Sequence, residues 1–224
     1  MCGICGIADF SGGAIDKQVI HAMTQQLKHR GPDDSGVEML GAIALGHTRL
    51  SIIDLSAAGH QPMQSDDARV TLGFNGEIYN YLELRQVLEN EGVAFGSHSD
   101  SEVVLKSYLN WGSEAFRKFN GMFAVAIWDA RSEQLHLARD RFGIKPLYYF
   151  MLPKGIVFGS EIKALLASKQ LTQKLNHAGL HQYLYYGNAL GSNTLFSGVA
   201  KLLPGHHLVI SKSAASLLEP FWQA

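Results

Sequence analysis

Short apolar runs succeed one another along this chain with turn residues between them, and few are separated by helices. Runs at 4–8, 42–47, 69–74, 122–128, 134–138, 146–150 and 156–158 have strand length and composition. Turn signals at Asn75-Gly76 and Asp129-Ala130-Arg131-Ser132 fall directly behind two of them. A strict strand–helix alternation, which a parallel sheet needs, is missing. The expectation is an α+β fold of antiparallel sheets with helices packed outside them.

Helical patterns fill the gaps. Asp16 precedes Val19, Ile20, Met23 and Leu27 on one face, running to His29; Asn80 precedes Leu84, Val87 and Leu88 and a stop at Gly92. Ser99-Asp100-Ser101-Glu102 fits a capping box ahead of Val103, Val104, Tyr108 and Leu109. Ser160 and Asn176 are expected to cap two further helices, and the segment at 29–36 reads as a loop. Beyond Leu203-Pro204-Gly205 the pattern reads as a last strand and a linker.

Composition narrows the function. The chain has 224 residues, 46% hydrophobic and 17% charged, with formal net charge −1. It carries no basic cluster suited to nucleic acid, no membrane-length apolar run and no signal-peptide pattern, so nucleic acid and membranes are not expected partners. Its two cysteines suit a reducing cytoplasm rather than a disulfide framework.

Cys2 follows Met1 directly. Removal of Met1, expected before so small a residue, places a thiol and a free α-amine on one carbon. The amine, of reference pKa about 7.7–8.0, can take the proton of a thiol near 8.5. Nucleophile and base then arrive together; otherwise Cys2 is an apolar residue opening a strand. Cys2 and Cys5 form a C-x-x-C, but no second pair completes a zinc site and no strand precedes it as in a redox motif.

Other candidates are each open to two readings. Asn75-Gly76 is a hairpin turn or a pair of donors for an oxyanion. Arg49 captures a carboxylate, or pairs internally with Asp54 or Glu77. Glu77 and Asp100 hold an ammonium, or Asp100 merely opens a helix. Together they would suit an α-amino acid with a side-chain carbonyl. Ser11-Gly12-Gly13 lacks the Lys-Ser/Thr of a phosphate loop and reads as a turn. His29, His47 and His60 read as structural, and Arg139-Asp140-Arg141-Phe142-Gly143 as a charged turn or a network.

The assembled pieces resemble the glutaminase domain of class II glutamine amidotransferases, in the asparagine synthetase branch. The resemblance rests on Met1-Cys2-Gly3-Ile4, His29-Arg30-Gly31-Pro32-Asp33-Asp34-Ser35-Gly36, Gly46-His47-Thr48-Arg49-Leu50-Ser51-Ile52-Ile53-Asp54, and His60-Gln61-Pro62-Met63. Phe74-Asn75-Gly76-Glu77-Ile78-Tyr79-Asn80, Ser99-Asp100-Ser101-Glu102, Arg139 to Tyr148 and Gly159 to Leu165 continue it in order. It implies an N-terminal-nucleophile hydrolase fold, a four-layer α/β/β/α sandwich of two antiparallel sheets. It also implies roles: Cys2 as nucleophile, the Asn75 amide and Gly76 N–H as oxyanion hole, Arg49 on the α-carboxylate of L-glutamine, Glu77 and Asp100 on its ammonium. No cofactor is implied for this half. ATP and magnesium belong to a C-terminal synthetase domain, whose S-G-G-x-D-S loop this sequence lacks. The expected division is a glutaminase domain at 1–205 and a linker at 206–224 leading to that synthetase partner. A homodimer is left open.

Overall fold

The computed structural model describes residues 1–212 and 216–223. Its strands are β1 (Gly3–Asp9), β2 (Asp34–Leu40), β3 (Ile43–Arg49), β4 (Met63–Gln64), β5 (Val70–Ile78), β6 (Gly121–Asp129), β7 (Gln134–Arg139), β8 (Tyr148–Leu152), β9 (Gly155–Gly159), β10 (Val199–Lys201), β11 (His206–Ser211) and β12 (Ser216–Pro220). The helices are α1 (Lys17–Gln25), α2 (Tyr81–Asn90), α3 (Asp100–Trp111), α4 (Ala115–Lys118), α5 (Ile162–Ala167) and α6 (His177–Tyr186).

The strands form two six-stranded sheets, ordered β10-β8-β9-β1-β3-β2 and β12-β11-β7-β6-β5-β4, with every pairing antiparallel. Strand periodicity of two explains why they stack with helices outside. Ile4, Ala8, Ile43 and Leu45 of the first sheet meet Ala124, Ala126, Trp128, Leu135 and Leu137 of the second in one core. The intervening residues Cys5, Ile7 and Ala44 face outward under Ile20, Met23 and Leu27 of the α1 segment and Ala164 and Leu165 of α5. On the second sheet Val70, Leu72, Phe74, Val125 and Ile127 face outward beneath Val103, Val104 and Tyr108 of α3 and Phe116 of α4. The result is the expected four-layer α/β/β/α sandwich.

Three expectations need correction. Asn75-Gly76 is not a hairpin turn. β5 runs through it to Ile78, with Asn75 opposite Ala124 and Gly76 opposite Phe123. Gly76 is required for another reason: a Cβ there would stand 2.4 Å from the Met122 carbonyl oxygen and 2.8 Å from Phe123 Cα. Of the segment at 29–36, read as loop, Asp34, Ser35 and Gly36 instead open the edge strand β2, paired along β3; only half-buried, β2 lacks the apolar run that marks inner strands. Finally, 206–224 is not simply a linker. β11 pairs with β7 and β12 with β11 inside the second sheet, and Leu208 and Ile210 join the inter-sheet core. Positions 213–215 and 224 of that segment lie outside the described residues.

Candidate active site

The alternation that builds the sandwich also aims the site. Gly73 of β5 lies across from Ile4 of β1, its Cβ position 3.6 Å from Ile4 Cγ2. Two residues further along β5, Asn75 faces the same way; two residues back from Ile4 is Cys2. Register between β1 and β3 sets Gly3 beside Thr48 and so brings Arg49 alongside Cys2. Met1, Cys2, Arg49, Asn75, Gly76, Glu77, Asp100 and Lys145 all line one cavity of about 220 Å³. All six sequence-predicted site residues therefore meet in one place.

The Cys2 sulfur accepts from the Leu50 N–H at 3.4 Å and lies 3.7 Å from the Leu50 carbonyl oxygen. Burial pushes its thiol above the usual range, and the Asp100 charge adds to this; the Leu50 contact, the terminal amine and Arg49 pull against it. Cys5 is three places along the strand and points to the opposite face. Its sulfur sits under α1, 3.6 Å from Thr24 Oγ1, and burial raises its pKa to about 12. Both cysteines are free, so C-x-x-C here is a spacing without a shared function.

Asn75 is buried at 1% exposure, and neither its amide nitrogen nor its oxygen has a hydrogen-bond partner among the described residues. Such an orphaned amide is costly unless a ligand satisfies it. Gly76 presents its N–H on the same cavity. The neighbouring N–H groups of equal parity leave β5 on its outer edge: Phe74 donates to Gln61 Oε1 at 2.7 Å and Ile78 to Asp100 Oδ2 at 3.1 Å. The Gly76 N–H shares that edge, between them.

Arg49 forms neither internal carboxylate pair. Its guanidinium donates instead to the backbone carbonyls of Ser56, at 2.8 Å, and Asp54. Those bonds fix its direction and leave its charge uncompensated. Gly59 makes room for it, since a Cβ there would fall 2.1 Å from Nη2. Asp100 opens α3 and is buried at 6% exposure. Burial raises its carboxyl to about 6, against its backbone hydrogen bonds, and the neighbouring Glu77 charge raises it further. Two carboxylates held this close gain from a cation between them.

Several positioning residues carried no recognisable role in the sequence. Gln61 ties β5 to α3: beside its bond to Phe74 it donates from Nε2 to Ser101 Oγ at 3.2 Å. His47 is buried, and its Nε2 is 2.9 Å from the Phe74 carbonyl, at the peptide that precedes Asn75. Burial lowers its pKa to about 4, so the ring is neutral and donates there. Arg30 donates from Nε to the Cys2 carbonyl at 2.9 Å and from Nη1 to Glu161 at 3.0 Å. The charged segment at 139–143, read as a charged turn or a network, is the network: fully buried Asp140 accepts from the backbone N–H groups of Phe123, Phe142, Ile144 and Lys145. The signal for all of these was a charged or amide side chain inside an apolar context, too common to assign alone.

His177 and His181 stand one helical turn apart on α6, a spacing that paired metal ligands use, yet among the described residues no group of three or more His, Cys, Asp or Glu side chains could hold a metal. No helix of the described residues is long and apolar enough to cross a membrane.

A family profile described as a glutamine amidotransferase domain matches residues 1–222. "Asparagine synthetase [glutamine-hydrolyzing] 3" of Bacillus subtilis is 38% identical over 221 residues, covering 97% of this chain and 36% of the relative. "Amidase chyE" of Penicillium rubens is 34% identical, covering 99% of this chain and 34% of the relative. The chain thus spans about a third of the length of these curated relatives. Among solved structures, the glutamine phosphoribosylpyrophosphate amidotransferase of B. subtilis superposes with a TM-score of 0.73 at 21% identity, over 100% of this chain and 50% of that one. That likeness supports the fold. The chain belongs to the glutamine amidotransferase domain family.

Proposed function

We propose that this chain hydrolyses the side-chain amide of L-glutamine through a thioester on Cys2 and releases glutamate and ammonia. The observation that carries the reading is the single cavity shared by the Cys2 thiol, the orphaned Asn75 amide, the Gly76 N–H, the open charge of Arg49 and the Glu77–Asp100 pair. Arg49 receives the α-carboxylate and the acidic pair the α-ammonium, which orients the side-chain carboxamide toward Cys2. Met1 is removed, and the freed Cys2 amine takes the thiol proton. Sulfur bonds to the carboxamide carbon, and the Asn75 amide and Gly76 N–H hold the oxyanion. The C–N bond breaks, and ammonia leaves with the proton returned by the amine. Water then attacks the thioester, the amine taking its proton; the C–S bond breaks, the proton passes back to sulfur, and glutamate departs. This half-reaction needs no metal or organic cofactor.

The ammonia is handed to an ATP-dependent synthetase partner that lies beyond this chain and converts aspartate to asparagine. That acceptor is suggested by the asparagine synthetases among the relatives; a different carboxylate acceptor is the competing case. Ammonia release from glutamine tests the first half. Cys2→Ala is expected to abolish it and Cys5→Ala to retain it; undiminished turnover in Cys2→Ala refutes the nucleophile.

A further inference from the structure

One charged side chain of the cavity has no place in the scheme above. Lys145 is buried at 5% exposure on the loop between β7 and β8, and it lines the same cavity as Cys2. Its backbone is held on both sides. The N–H donates to Asp140 Oδ2 at 3.0 Å, and the carbonyl accepts from Arg139 Nε at 2.8 Å. Arg139 also clamps the carbonyls of Gly143 and Leu202, at 2.6 and 2.7 Å, so the root of the Lys145 side chain is rigid. Its ammonium, by contrast, has no acceptor and no carboxylate within ion-pair distance among the described residues. A cation held on a largely buried side chain without a counter-charge is costly. A site that keeps one keeps it for an anion that forms there.

The charges around it are those of Cys2 on β1, Glu77 on β5, Arg30 after α1 and Asp140 on its own loop, with Arg49 of β3 and Asp100 of α3 across the cavity. Burial pulls the Lys145 ammonium below the usual lysine range and Arg30 pulls it further; Cys2, Glu77 and Asp140 oppose this. Arg49 is already committed to two carbonyls, and on the glutaminase reading its charge goes to the substrate carboxylate. Lys145 is left as a side-chain cation on the cavity that holds Cys2, with no ion-pair partner among the described residues and no part in holding glutamine.

We infer that Lys145 is a positioning residue of this site, its ammonium serving as the standing counter-charge to the Cys2 thiolate. The inference deepens the glutaminase reading and rests on it for its purpose. In this role Lys145 acts as a charge and not as a proton carrier, holding negative charge on sulfur when the S–H proton leaves. The coupling is reciprocal, and Lys145 adds its charge to those of the terminal amine and Arg49, which also lower the Cys2 thiol.

The test is the pH dependence of Cys2 alkylation by iodoacetamide in the full chain without glutamine, with the adduct assigned by peptide mass. Thiolate is the reacting form, so the midpoint reads the thiol pKa. Lys145→Met is expected to raise the midpoint by about 0.5 to 1 pH unit, the size of a lost charge partner in a partly solvated cleft. Lys145→Arg is expected to restore it, with melting temperature as the check on folding; should the methionine variant unfold, Lys145→Gln carries the same comparison. A midpoint unchanged without the charge, or shifted equally by arginine, overturns the inference. Ammonia release by the wild-type chain separates the two claims. Turnover with an unshifted midpoint overturns the Lys145 role alone, whereas a shifted midpoint without turnover sinks the glutaminase reading and leaves the Lys145–Cys2 coupling standing.

Discussion

At the scale of single residues, the site is a set of groups each left incomplete by the fold. Asn75 has an orphaned amide, Arg49 an open charge, and Asp100 a carboxyl whose pKa burial and Glu77 raise to about 6. Asp100 must be ionised to hold an ammonium. The KM for glutamine is therefore expected to climb as pH falls below about 6, while kcat changes less. Asp100→Asn should raise KM about 10- to 100-fold and flatten that limb, the loss expected for a charged hydrogen-bond partner. Steady-state kinetics between pH 5 and 8, as a range of roughly one charge change for this carboxyl, checks both. Cys5→Ala belongs to the same scale. Its sulfur packs under α1, so the substitution should cost about 1 kcal/mol of stability, read by denaturant melts, and spare turnover.

At the scale of elements, β5 matters most. It carries Asn75, Gly76 and Glu77 on one extended segment whose outer edge is closed by Gln61 and Asp100. Gly76→Ala drives a methyl into the Met122 carbonyl and Phe123 Cα, backbone atoms that cannot step aside. It is expected to destabilise the chain by about 2 kcal/mol or more and to lower kcat by displacing the oxyanion donors; thermal melts and kinetics measure each. Much of this level was legible in the sequence. Asp16, Ser99 and Asn176 each accept from a backbone N–H of the first helical turn, at Gln18, Glu102 and Gly179. Where the reading failed, a local preference yielded to a partner distant in sequence. Asn-Gly favours a turn, but β6 pairs along its whole length. Glu102 was expected to reach back to the Ser99 N–H; it binds the Gly96 and Ser97 N–H groups instead, and Ser97 Oγ takes the Ser99 N–H. Ser160 was expected to cap α5, yet its hydroxyl accepts from Ile4 N–H at 3.0 Å, a contact 156 residues apart that holds β1 behind Cys2. The residue types at the site were legible as chemistry; the supports Gln61, His47 and Lys145 stood in the same motifs with no legible task, because only tertiary contact gives them one.

At the scale of the whole molecule, the terminal hairpin and the buried imidazoles govern stability. β11 contributes Leu208 and Ile210 to the inter-sheet core. Ending the chain at Gly205 is expected to lose cooperative unfolding in calorimetry; an unchanged transition would mean that β11 and β12 are accessory. His207 of β11 lies 2.9 Å from His136 of β7, and His136 lies 3.0 Å from the Tyr108 hydroxyl, which donates to Asp129 at 3.2 Å. Burial lowers His136 to about 4 and His207, with help from His136, to about 3; His47 likewise falls to about 4. A histidine depressed in the fold contributes stability fully above its unfolded value of 6.5 and loses it as pH falls toward the folded value. Each withdraws on the order of 1 kcal/mol per pH unit across that window, less where two are coupled. Asp100 opposes them, because its raised carboxyl gains stability as pH falls from about 6 toward 3.8. Three imidazoles outweigh one carboxyl, so the melting temperature should fall steadily from pH 6.5 to 4. His136→Gln together with His207→Gln should flatten the fall; an equally steep profile in that double variant would place acid sensitivity elsewhere.

The most direct measurement is intact mass after exposure to a diazoketone analogue of glutamine. The account predicts a single adduct, on Cys2, confined to chains that lack Met1 and prevented by excess glutamine. An adduct on Cys5, or equal labelling of chains that retain Met1, would contradict a terminal thiol activated by its own amine.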